Sequence, residues 1–166
     1  KIGVEPISSS TAPSLMASML EILRLEKRTK VLEIGTGTGY NAALIAEIVG
    51  DEQKVFSVDI DTETTEEARQ NLEKAGYKNI TVQCADGAKG LSEHAPYDRI
   101  IVTASVRNIP RPLIDQLKEG GLVVLPIWIN GTQITPALEK QKDGNLVGRS
   151  TTIGGFMEVR FKTYQE

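Results

Sequence analysis

The chain has 166 residues, 40% of them hydrophobic, with a formal charge of -3 and a pI near 5.4. That length suits one domain with a full core, and neither the charge balance nor any polybasic run draws the chain to nucleic acid or a membrane surface. The single Cys84 rules out a disulfide framework and a cysteine metal cluster, and the longest apolar stretch, over 122–129, is broken by Pro126 and far too short for a bilayer. With no charged-then-apolar leader at its start, the sequence predicts a cytoplasmic protein.

In chain order, Pro13 followed by Leu15, Met16, Met19, Leu20, Ile22 and Leu23 at helical spacing predicts a helix over 13–25. Short β-rich runs then alternate with longer amphipathic ones. Strands are expected over 30–34, 55–58, 80–84, 99–103 and 122–126, and helices over 40–49, 62–75 and 112–117. Such alternation requires a mostly parallel sheet with helices on both faces and right-handed crossovers. Beyond Pro126 the rhythm changes: residues 132–141 and 156–161 read as strands, with a turn over 142–145, and no helix intervenes. The fold class is therefore α/β, a doubly wound, mostly parallel Rossmann-like sheet with an antiparallel C-terminal end. Cys84, inside a strand pattern, is expected to be a buried, inert thiol, and His94 to sit in a surface turn as a structural residue.

The chemistry concentrates where the first strand meets the second helix, in Val31-Leu-Glu-Ile-Gly-Thr-Gly-Thr-Gly-Tyr40. Three glycines at alternate positions exceed the needs of a plain turn, and a strand, glycine loop and helix bring backbone N–H groups close to a ligand. The dinucleotide pattern G-x-G-x-x-G would need glycine where Tyr40 stands, and the phosphate loop G-x-x-x-x-G-K is absent. What remains is Glu33 followed by Gly35, Gly37 and Gly39, with Asp59 ending the next strand 20 residues after Gly39. This suits an adenosyl ligand without phosphates, its ribose hydroxyls on the Asp59 carboxylate. Asp86-Gly87, closing the third strand, reads either as an adenine contact or as an ordinary turn.

These residues resemble the protein-L-isoaspartate (D-aspartate) O-methyltransferases, a family of class I S-adenosylmethionine-dependent methyltransferases. The resemblance runs through 31–40, Ser57-Val-Asp59, Asp86-Gly87, Tyr97-Asp-Arg-Ile-Ile-Val-Thr-Ala104, Ile109-Pro-Arg-Pro-Leu113 and Leu117-Lys-Glu-Gly-Gly121, in the family's order and close to its spacing. It implies a cofactor, S-adenosyl-L-methionine, bound by Glu33, Gly35, Thr36, Gly37, Asp59, Ile60, Asp86 and Gly87, with Gln133 near a glutamine often found after the fifth strand. It also implies a peptide or protein substrate carrying isoaspartate, whose methyl ester collapses to a succinimide during repair.

On the acceptor side, the family's loop of the type Thr-Ile-Ser-x-Pro corresponds to Ser8-Ser-Ser-Thr-Ala-Pro13. The resemblance makes Thr11, with Ser10 beside it, the catalytic hydroxyl, although Ser10 replaces an isoleucine and Ser14 a frequent histidine or aromatic. Ser and Thr are also preferred helix N-caps, but a cap needs one hydroxyl and this loop supplies four. Trp128 stands where a small residue is common, and the chain begins where the family usually already has several N-terminal helices. Either a preceding segment is not part of this sequence, or the acceptor site is built from less protein and is more open; the reading is a single domain with its oligomeric state unspecified. Two other readings stay open: a methyltransferase of this fold acting on a normal aspartate of a modified peptide or on a small molecule, and a non-catalytic cofactor-binding module.

Overall fold

The computed structural model describes residues 12–152. Helix α1 (Pro13–Leu23), strand β1 (Val31–Ile34), helix α2 (Tyr40–Val49), strand β2 (Val55–Asp59), helix α3 (Thr62–Lys74), strand β3 (Thr81–Cys84), strand β4 (Tyr97–Val102) and helix α4 (Arg111–Gln116) lead into four closing strands. These are β5 (Leu117–Val124), β6 (Ile127–Ile129), β7 (Thr132–Lys140) and β8 (Leu146–Thr152). They form one sheet in the order β3-β2-β1-β4-β5-β7-β6, with β8 on β7. Strands β1 to β5 pair in parallel and β5 to β8 antiparallel, so the doubly wound architecture with an antiparallel end is observed.

Alternation along the strands sorts side chains between two cores. Val31, Val55, Ile101, Val124 and Ala137 meet Met16, Met19, Leu20 and Leu23 of α1 and Ala42, Ile45 and Val49 of α2. Leu32, Ile34, Phe56, Val58, Ile100, Val102 and Val123 face the other way, onto Leu113 of α4, Leu91 and Tyr97. Glu33, the odd neighbour of Leu32 and Ile34, therefore points to the α2 face. Burying each large aliphatic side chain contributes roughly 1.5–3 kcal/mol.

Strand order reverses at β1, whose neighbours are β2 on one side and β4 on the other. Chains leave the carboxyl ends of β1 and β4 in opposite directions, which opens a crevice there. On the far side, β5 and β6 behave as one interrupted arm of a hairpin with β7: the register that sets Leu122 against Glu139 continues unbroken to Ile129 against Thr132. Pro126 interrupts it, and Asn130-Gly131, with φ of 49° and 80°, makes the tight turn at its tip. The hairpin thus runs past the carboxyl ends of the parallel strands.

Several expectations are corrected. Strand β5 starts at Leu117 rather than 122, because pairing of Tyr97 with Leu117 resumes across an irregularity before Arg99 meets Leu122. Strands β6 and β8 were not anticipated, whereas the turn over 142–145 is present and the strand expected over 156–161 lies outside the described residues. Cys84 is exposed instead of buried, since it ends an edge strand, with Sγ near Thr62 Oγ1 and the Ile60 carbonyl. His94 lies in a short 3-10 turn with its ring 4.6 Å from that of Phe56, a packing role as expected.

Candidate cofactor and acceptor site

The glycine loop occupies the mouth of the crevice, and its three glycines serve different ends. A Cβ on Gly35 would collide with Thr103 Oγ1, which donates to the Gly35 carbonyl at 2.8 Å and to that of Ile34 at 3.2 Å. A Cβ on Gly39 would press on Leu72 and the Ala68 carbonyl of α3, so this glycine lets two helices approach. Gly37 is otherwise: its φ is 52° and nothing lies within 4 Å of where its Cβ would be. An open, left-handed glycine at the centre of the loop leaves space for a ligand against bare backbone.

Beneath the loop runs a buried polar chain. With Glu33 ionised, Ser57 Oγ donates to its Oε2 at 2.5 Å and Asn41 Nδ2 to its Oε1 at 2.8 Å. Thr36 Oγ1 lies 2.8 Å from Ser57 Oγ and completes the chain to the loop. Glu33 is 0% exposed, and burial, reinforced by the Asp59 charge and opposed by the Ser57 and Asn41 hydrogen bonds, pushes its carboxyl up to about 7. The Glu33 oxygens are thus engaged inside the protein, where they brace the loop through Ser57 and Thr36.

Asp59 ends β2 with its Oδ2 accepting from Gly37 N at 3.4 Å and its Oδ1 from Asp61 N at 3.2 Å. Both bonds are long, and a carboxylate accepts about four, so two further donors can be taken. Ile60 follows on the same edge. Asp86 Oδ1 accepts from Ala88 N and caps the 3-10 turn Gly87–Lys89, while Gly87 packs so closely on Ile34 that any side chain would strike its Cγ2. The turn reading of Asp86-Gly87 is therefore realised, and the turn follows the end of β3, where Cys84 is the register partner of Asp59. Gly35, Thr36, Gly37, Asp59, Ile60, Asp86 and Gly87 thus gather along the carboxyl edge of β1, β2 and β3, with Glu33 below them. Gln133 is away from this group, on β7 opposite Trp128. Thr11 and Ser10 lie outside the described residues.

Sequence reasoning assigned no part to Ser57, Asn41 or Thr103. Ser57 and Thr103 each carried a signal, a hydroxyl within or just after an apolar strand, but their partners are distant in the chain. Among the described residues no cluster of His, Cys, Asp and Glu could hold a metal ion, and no helix is long and apolar enough to cross a membrane.

Comparison with known proteins bears directly on this geometry. Residues 1–162 match the family model described as protein-L-isoaspartate(D-aspartate) O-methyltransferase. A protein-L-isoaspartate O-methyltransferase of Methanococcoides burtonii is 44% identical over 142 residues, 84% of this chain and 68% of that one. A solved protein-L-isoaspartate O-methyltransferase superposes with a TM-score of 0.85 at 38% identity, covering 96% of this chain and 51% of the other. A Plasmodium falciparum protein described as a beta-aspartate methyltransferase, in complex with S-adenosyl-L-homocysteine, shares the fold at a TM-score of 0.81 and 19% identity, covering 96% of this chain and 79% of its own. The chain spans between 48% and 68% of the length of the curated relatives it matches.

Proposed function

The chain belongs to the protein-L-isoaspartate(D-aspartate) O-methyltransferase family, and from that premise we propose that it methylates the free carboxylate of isoaspartyl residues in peptides or proteins, using S-adenosyl-L-methionine. The observation that carries the reading is the open Gly37, whose N–H donates to the Asp59 carboxylate at 3.4 Å, since bare backbone beside a strand-end carboxylate with unused acceptor capacity suits a ribose.

The residues present fit that cofactor. Asp59 would accept from the ribose hydroxyls, Asp86 and Ile60 would hold the base, and the Gly35-Thr36-Gly37 backbone, held by Thr103 and by Ser57 through Thr36, would receive the remainder. Bound there, the cofactor supplies a methyl group on a sulfonium. The protein's own work is alignment and exclusion of water. A carboxylate with a pKa near 3.9 is already a nucleophile at neutral pH, so no general base is needed. Positioning alone contributes about 7–11 kcal/mol in favourable intramolecular systems. Thr11, with Ser10, is proposed to hold the acceptor carboxylate by its hydroxyl, a role suited to a group that donates a hydrogen bond and takes no proton.

The test is methyl transfer measured on matched isoaspartyl and aspartyl peptides with labelled cofactor. Transfer to the isoaspartyl peptide, as a base-labile ester, supports the reading. Transfer to the aspartyl peptide alone would replace it by a different acceptor, and cofactor binding without any transfer would reduce the chain to a binding module.

A further inference from the structure

Resting on that reading, we propose that Asn71 of α3 is a positioning residue of the cofactor loop, the group that fixes the peptide between Thr38 and Gly39 and so holds the turn around Gly37 in its binding shape. Thr38 stands between two glycines, and both adopt positive φ, 52° at Gly37 and 86° at Gly39. Glycine moves through φ/ψ space at little steric cost, so a peptide beside such residues reorients easily unless both of its polar groups are held. Here both are held. Asn71 Nδ2 donates to the Thr38 carbonyl at 3.1 Å, and Gly39 N, the other half of the same peptide, donates to the Thr36 carbonyl at 3.0 Å.

The second of those bonds closes the turn that contains Gly37 and Thr38. The loop supplies no brace of its own for this peptide, because Gly39 is the N-cap of α2 without a side-chain cap and the Thr36 hydroxyl is engaged with Ser57. The brace comes from α3, which already touches the loop: a Cβ on Gly39 would meet Leu72 and the Ala68 carbonyl. The same helix also holds Asp59. Its N-cap, Asp61, accepts from Thr64 N at 2.7 Å and donates its own N–H to Asp59 Oδ1 at 3.2 Å. One rigid element therefore sets the strand-end carboxylate and the glycine loop relative to each other, through Asp61 at its start and Asn71 in its last turn. Loss of the Asn71 amide frees the loop and leaves the fold intact, since α3 keeps its cap and Ala68 and Leu72 keep their packing on Val82.

Two measurements on Asn71→Leu, which keeps the side chain's bulk and removes the donor, test this. In the ligand-free chain, amide hydrogen exchange at Gly39 should quicken by about tenfold, because the peptide can then turn away from Thr36 without breaking the Asn71 bond as well. Calorimetry should show S-adenosylhomocysteine binding weakened by about three- to tenfold, the worth of one such bond, with the melting temperature of the free chain within a few degrees of the wild type's. Asn71→Asp, of the same shape but without the donor, should match it in both measurements. Faster exchange at Gly39 with unchanged affinity overturns the proposal, and so does weaker affinity with the exchange unchanged. A wild type that does not bind S-adenosylhomocysteine overturns the cofactor reading, and the proposal with it, and is told apart because it shows before any substitution is made.

Discussion

Replacing Glu33 with glutamine should remove a pH dependence of stability that is specific to this one buried carboxyl. Burial, aided by the Asp59 charge, raises the folded-state pKa from 4.5 to about 7, against the pull of the Ser57 and Asn41 hydrogen bonds. The folded protein therefore holds the proton more tightly than the unfolded chain. Its contribution is fully present below pH 4.5 and is lost as the pH rises through 7. The difference corresponds to about 3 kcal/mol in total. Glutamine keeps the geometry: its carbonyl accepts from Asn41 Nδ2, its amide donates to Ser57 Oγ, and the Ser57 hydroxyl turns to Thr36, either of which can donate. About 2.5 kcal/mol of this falls between pH 5 and pH 8.5, and for a chain of this size each kcal/mol moves the melting temperature by roughly 2–4 °C, so Glu33→Gln should gain about 5–10 °C on the wild type across that window. Paired melting curves across that range measure the difference directly and cancel the other carboxylates. Parallel curves, separated by the same gap at every pH, would show that Glu33 does not titrate in this window and would refute the buried-carboxyl account.

Asp59→Ala should weaken S-adenosylhomocysteine binding by about 1.5–3 kcal/mol while leaving the melting temperature of the free chain within a few degrees, measured by calorimetry and thermal shift. An unchanged dissociation constant would place the ribose elsewhere. Thr11→Val keeps the side chain's shape and removes its donor, so turnover on an isoaspartyl peptide should fall far more than cofactor affinity. If Thr11→Val instead lowers stability with turnover intact, the hydroxyl serves the fold and not the reaction, the N-cap of α1 being Ala12.

Strong local signals made much of the fold legible. Helix α2 runs from Tyr40 to Val49, as its apolar period predicts, because Gly39 and Gly50 at its two ends both adopt positive φ. Strand β8 escaped because Leu146–Thr152 is largely exposed and polar, pairs among the described residues through β7, and carries no strict alternation. Strand β6 escaped because Ile127–Ile129 reads as the tail of β5, and the gap at Pro126 becomes meaningful only once β7 is seen to pair with both. Cys84 departs from its expected burial for a related reason: its local pattern is that of a strand, but edge position is a property of the whole sheet. In the site, the glycine loop and the strand-end carboxylates were visible because each marks a chain turn. The Thr36–Ser57–Glu33–Asn41 chain was not, since its members come from β1, the loop after it, α2 and β2, and meet only when two parallel strands come into register.

The central claim is that the crevice at the end of β1 is divided, adenosine toward β2 and β3 and acceptor toward β4. A crystal structure of the chain with S-adenosylhomocysteine and an isoaspartyl peptide tests it directly. The ribose hydroxyls should lie within hydrogen-bonding distance of the Asp59 carboxylate, with the acceptor carboxylate on the opposite side of Gly37. A ribose away from Asp59, or a peptide lying over β2 and β3, would contradict the account.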